Sequence, residues 1–167
     1  MSENQILEIL KGAILLEHKG KALYNSVIST SQVQEVKDLF SMLAREEEKH
    51  IEVLNKQFSR ISKGEDFDVS DIRDLHGETL EAVLTEKIKE NISGAGYEAA
   101  VISAALEFEK KSVEYYSDQA SKARSEDEKK LFKWLTDWEK DHMMMLARID
   151  DELKEKIWFD NKFWPLD

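Results

Sequence analysis

The chain has 167 residues, 35% of them charged, with one proline, no cysteine and a formal net charge of −11. That length suits a single domain with a sizeable core, the acidic balance argues against nucleic acid and anionic membrane as partners, and the lack of cysteine excludes disulfides, cysteine-based zinc sites and iron–sulfur centres. The longest apolar runs, such as AAVISAAL at 99–106, are far too short to span a bilayer, and the N-terminal MSENQILEIL lacks the basic-then-apolar pattern of a secretory signal, so a cytoplasmic protein is expected.

Apolar residues recur at helical spacing over four segments. The first helix is predicted over 3–28, with Ile6, Leu10, Ala13, Tyr24 and Val27 on one face. The polar break STS at 29–31 leads to a second helix over 32–61, carrying Leu39, Leu43, Leu54 and Phe58. A long connection, 62–95, holds one short helix near 78–91 with Leu80, Val83, Leu84 and Ile88 on one side. The third helix is predicted over 96–122, with Ile102, Ala105 and Tyr116. After the break ARSED at 123–127, the fourth covers 126–157, with Leu131, Leu135, Leu146, Ile149 and Leu153. Short breaks with capping residues make antiparallel hairpins, so the expected fold is all-α: two helical hairpins, 3–61 and 96–157, joined by the crossover. The tail 158–167, with Trp158, Phe159, Phe163 and Trp164, is expected to fold over one end of the bundle. GAGYEA at 94–99 matches a dinucleotide-binding pattern, but no strand precedes it, so it reads as a flexible entry into the third helix.

The hairpins repeat each other. AILLEHKGKALY (13–24) aligns with ALEFEKKSVEYY (105–116), and LFSMLAREEEKHIEVL (39–54) with LFKWLTDWEKDHMMML (131–146). The offset is 92 residues throughout, pairing Glu17 with Glu109, Tyr24 with Tyr116, Glu47 with Glu139 and His50 with His142. A repeat at one fixed offset indicates a duplicated hairpin with pseudo-two-fold symmetry.

On the second helix the inward stripe runs Leu39, Leu43, Glu47, His50, Leu54 in steps of four, four, three and four, which keeps all five on one face. Glu46 and Glu48, each about 100° away, are expected to face outward. The fourth helix repeats the stripe with Glu139 and His142. Glu17 and Glu109 lie on the apolar faces of the first and third. Four glutamates and two histidines thus project into one interior, with no lysine or arginine at the stripe positions. Burying four carboxylates together requires compensation, and two divalent cations supply it. Carboxylate plus imidazole suits iron or manganese, with zinc a further fit, and this ligand composition is that of di-metal four-helix bundles. Gly20 and Ser112, one turn beyond the helical glutamates, leave room either for metals and dioxygen or for close helix crossing. Tyr24 and Tyr116 read as simple core tyrosines, with hydrogen bonding to the ligands or supply of an electron as the functional alternative. His18 and His76 read as surface histidines and HMMM at 142–145 as core filler. Glu107 and Glu114 read as outer-face residues, with Glu114 an extra ligand only if its helix distorts.

These same segments resemble the four helices of the rubrerythrin-type branch of the ferritin-like superfamily. The resemblance covers roughly 5–60 and 97–155 and implies a ferritin-like four-helix bundle. It implies Glu17, Glu47 and His50 on one iron, Glu109, Glu139 and His142 on the other, and Glu47 and Glu139 as bridges. The chain departs from rubrerythrins proper in lacking the four-cysteine rubredoxin-like domain. Leu106 and Ser112 stand where an extra carboxylate would flank the third-helix ligand. The symmetrical four-Glu, two-His set resembles bacterioferritin and other di-iron oxidases, although Glu48 stands where bacterioferritin has its haem-ligating methionine. The implied function is a di-iron oxidoreductase that reduces peroxide or O₂ with an external donor such as a rubredoxin-like protein. Ferroxidase activity with iron storage or detoxification is the alternative, and a metal-free helical scaffold the third reading. The short tail favours a homodimer over a storage cage.

Overall fold

The computed structural model describes residues 3–78, 82–92 and 96–161. Helix α1 spans Glu3–Thr30, α2 Gln34–Ser62, α3 Ala82–Asn91, α4 Tyr97–Lys122 and α5 Glu126–Asn161, with one 3₁₀ turn at Ser70–Asp74. α1 pairs with α2 and α4 with α5, α1 also lies against α4, and α3 touches both α2 and α5. This is the expected pair of hairpins joined by a long crossover.

Local chemistry sets the helix ends. Ser31, buried in the first hairpin turn, accepts from the Val33 amide at 3.1 Å and donates to Glu98 at 3.1 Å, tying the turn to the start of α4. α2 ends in a glycine at positive φ, Gly64 at +75°, whose amide reaches the Ile61 carbonyl at 2.9 Å; only glycine adopts that conformation without steric cost. α5 opens with a serine–glutamate cap: the Glu128 amide donates to Ser125 Oγ at 3.1 Å, and the Glu128 carboxylate accepts from the Arg124 amide at 3.0 Å, satisfying amides that the first turn leaves unpaired. The crossover is clamped to α2 by Gln57, which exchanges two hydrogen bonds with the Asp68 backbone, at 2.7 and 3.0 Å.

Two apolar clusters hold the bundle. Tyr24, Leu39, Leu43, Ile102, Ala105, Leu146 and their neighbours form one. Leu10, Ala13, Leu54, Tyr116, Leu131, Leu135 and theirs form the other. A fully buried leucine stabilises by about 1.5–3 kcal/mol. Along every long helix the apolar stripe passes from one cluster to the other, and the polar stripe residues lie at the crossing point.

Several expectations change in detail. Among the described residues the crossover helix covers Ala82–Asn91, and Glu78 is not helical. Of its four apolar positions Ile88 is buried, whereas Leu80 and the side chains of Val83 and Leu84 lie outside the described residues. α5 continues to Asn161, beyond 157. The packing of Trp158, Phe159, Phe163 and Trp164 lies outside the described residues. So do Gly94 and Ala95; Gly96 takes the N-cap position of α4 in an extended conformation. Among HMMM, Met143 and Met145 pack on the core but Met144 is exposed. It lies two positions from both His142 and Leu146, about 200° around the helix from each, so its side chain points outward.

Candidate metal centre

Glu17, Glu47, His50, Glu109, Glu139 and His142 are each no more than 3% exposed. α1 and α4 each present one glutamate. α2 and α5 each present a glutamate and a histidine three residues apart, which places the pair one turn apart on a single face. The donor atoms form two groups, Glu17–Glu47–His50–Glu139 and Glu47–Glu109–Glu139–His142, each lying within 4.8 Å. Glu47 and Glu139 belong to both groups and stand between the two histidines.

Both imidazoles turn Nδ1 toward the carboxylates. His50 Nδ1 lies 3.0 Å from Glu139, 3.1 Å from Glu17 and 3.9 Å from Glu47. His142 Nδ1 lies 3.1 Å from Glu139, 3.5 Å from Glu109 and 3.7 Å from Glu47. The rings are stacked at 30° with centroids 6.1 Å apart.

A protein-family model, Rubrerythrin, matches residues 8–153, a span that contains all six residues. The chain belongs to the rubrerythrin family. A solved structure of a hypothetical protein from Pyrococcus furiosus is similar in fold, with a TM-score of 0.63 and 22% identity over 93% of this chain and 92% of that one. No curated protein matches significantly.

In this rubrerythrin-family chain the donor set is short of positive charge. Among the described residues no lysine or arginine pairs with any of the four central glutamates, and Glu47 Oε1 and Glu109 Oε2 are buried without a hydrogen-bond partner. Burial, followed by the charges of Glu139 and Glu17, pushes Glu47 well above the usual carboxylate range. Burial and the Glu139 charge raise Glu109 to about 8. Burial acts to lower His50, but the Glu139 and Glu17 carboxylates overcome it and lift the imidazole to about 9. Burial also acts against a charged His142, yet its bonds to Glu109, Glu139 and Glu46 hold it well above the usual histidine value. Burial acts to raise Glu139, but the His50 charge and the bond to His142 hold it well below its usual range. Buried carboxylates with raised pKa values and unpartnered oxygens, grouped this closely, have the chemistry of a cation site. Two such groups sharing two glutamates fit a dinuclear one, and their oxygen and nitrogen donors suit iron, manganese or zinc.

The tyrosines hold the outer carboxylates. Tyr24 donates to Glu109 and Tyr116 to Glu17, so each hairpin's tyrosine orients the other hairpin's glutamate. Burial, with the facing carboxylates, raises both phenols well above their usual value, so both stay protonated as donors. Gly20 sits where a Cβ would come within 2.8 Å of the Phe108 ring and 3.5 Å of the Glu47 carboxyl carbon; it permits close helix approach beside the centre. Ser112 donates to the Phe108 carbonyl within its own helix.

Glu48 faces outward and pairs with Lys21, but Glu46 does not: it is fully buried. It accepts from Trp138 Nε1 and the Glu78 amide and meets His142 Nε2 at 2.6 Å. Those bonds outweigh burial and lower its pKa. The outward expectation fails because α2 is covered on a second flank, where α5 and the crossover pack against it. The clue lay in the repeat, which pairs Glu46 with Trp138. His18, His76, Glu107 and Glu114 are exposed and lie outside both groups.

Proposed function

We propose that the protein is a di-iron carboxylate oxidoreductase that reduces peroxide or O₂ with electrons from an external one-electron donor such as a rubredoxin-like protein. The observation that carries this reading is the pair of buried donor groups sharing Glu47 and Glu139. In it, Glu17 and His50 would hold one iron, Glu109 and His142 the other, and Glu47 and Glu139 would be shared between them. When bound, two irons supply together the two electrons that peroxide reduction consumes: H₂O₂ with two electrons and two protons gives two waters. The chain's own contribution is positional. The shared pair Glu47 and Glu139 would hold the two ions together, Tyr24 and Tyr116 orient the outer glutamates, and the apolar clusters on either side keep bulk water out. Among the described residues no helix is long and apolar enough to cross a membrane, which fits the proposed cytoplasmic setting. We further propose a homodimer; light scattering showing a shell of about two dozen subunits would instead favour iron storage.

The test is peroxide consumption by the iron-loaded protein, supplied anaerobically with reduced rubredoxin. The reading predicts repeated turnover, two electrons per peroxide, with iron retained. One oxidation per added iron, with iron leaving as polynuclear ferric product, would replace it with ferroxidase action.

A further inference from the structure

The repeat relating the two hairpins is broken at one pair of positions beside the centre. Glu46 precedes His50 by four residues and Trp138 precedes His142 by four, so the 92-residue offset maps one onto the other. Both side chains are buried, and each reaches the opposite hairpin's histidine. Glu46 meets His142 Nε2 at 2.6 Å. Trp138 sets its ring edge-on against His50, with centroids 4.9 Å apart at 89°. The two also bond to each other, the indole N–H donating to the carboxylate. The histidines therefore differ. His142 Nε2 has a carboxylate partner, whereas His50 Nε2 is buried with no hydrogen-bond partner and packs against the indoles of Trp134 and Trp138.

Glu46 is held from the crossover as well. The Glu78 amide donates to its other oxygen. The Glu78 side chain pairs with Arg45 on the outside of α2, at 2.9 and 3.2 Å. Between them Gly77 comes so close that a Cβ would lie 2.9 Å from Trp138 Nε1 and 3.2 Å from Glu46 Oε2.

A carboxylate that accepts from one imidazole nitrogen fixes the tautomer, leaves the other nitrogen's lone pair free for a metal, and makes the ring a stronger donor. Resting on the di-metal reading above, we propose that Glu46 is a positioning residue that holds His142 with Nδ1 toward the metal and makes the His142 side the tighter of two inequivalent metal sites. The His50 side, backed by indole rather than carboxylate, is the weaker. The same difference favours the ion of higher charge on the His142 side.

The probe is zinc(II) alone, which gives a diamagnetic loaded protein and needs no turnover. Calorimetry of the wild-type chain is expected to show two binding steps differing by about tenfold or more. In zinc-loaded protein labelled with ¹⁵N-histidine, one buried Nε2–H proton is expected far downfield of the other. Glu46→Gln should weaken the tighter step by about 10- to 100-fold and move only the downfield signal, leaving the second step in place. Equivalent imidazole signals in the wild type would overturn the proposal without any variant. So would a Glu46→Gln protein that binds two zinc ions as the wild type does, or that loses both steps equally while remaining helical. Wild-type protein that binds fewer than two zinc ions would sink the dinuclear centre itself, and the proposal with it.

Discussion

Tyr24 on α1 donates its phenolic hydrogen to Glu109 on α4, and the repeat returns the same bond from Tyr116 to Glu17. The tyrosines thus lock the two hairpins together through the carboxylates of the centre. Tyr24→Phe removes the donor without changing the ring. It should lower the stability of the metal-free chain by about 1–3 kcal/mol, the cost of leaving a buried acceptor less satisfied. Urea unfolding monitored by helical circular dichroism measures this; an unchanged midpoint would show that the bond contributes nothing.

Metal binding should release protons. Glu109 is raised to about 8 and His50 to about 9, and Glu47 is raised as well. At pH 7 these groups therefore hold protons that a cation must displace. Affinity should rise as pH increases from 6 toward 9 and fall on acidification. Calorimetry in buffers of different ionisation enthalpy counts the protons; binding with no release, and no dependence on pH, would contradict these assignments.

Adjacent glutamates on α2 should behave differently. Glu47 is shared by both donor groups, whereas Glu48 is partly exposed and paired with Lys21. Glu47→Ala should lower metal content at both positions. Glu48→Ala should keep both metals and change stability by less than about 1 kcal/mol, as expected for a surface pair. Elemental analysis of the two purified variants decides, and equal metal loss would show that the facing of α2 is misassigned.

Most of the bundle was legible because its pattern is redundant. Leu39, Leu43, Glu47, His50 and Leu54 define a face, and the copy 92 residues on defines the same face again. Periodicity locates the centre of a buried stripe and says little about its width. Glu46 lies one position off that centre, and its burial depends on α5 and the crossover, elements distant in sequence. The Gly77–Glu78 approach was illegible for the same reason: a glycine's need for space is set by what packs against it. The 3₁₀ turn at Ser70–Asp74 carries too few residues for a period to show.

That approach gives a further prediction. Gly77→Ala would bring a methyl within 2.9 Å of the buried Trp138 Nε1, where overpacking costs about 1–3 kcal/mol. Its melting temperature should fall, whereas Gly64→Asn, at a positive-φ position with open space around it, should lose less because asparagine tolerates that conformation. Equal losses would remove Gly77 from the account of how the crossover is seated.

The central claim is that Glu17, Glu47, His50, Glu109, Glu139 and His142 hold two metal ions between them. Elemental analysis of the chain after anaerobic iron loading and removal of free metal tests it most directly. The account predicts a plateau of two irons per chain, falling toward zero in Glu139→Ala because that carboxylate belongs to both donor groups. A plateau at zero or one in the unaltered chain would contradict it.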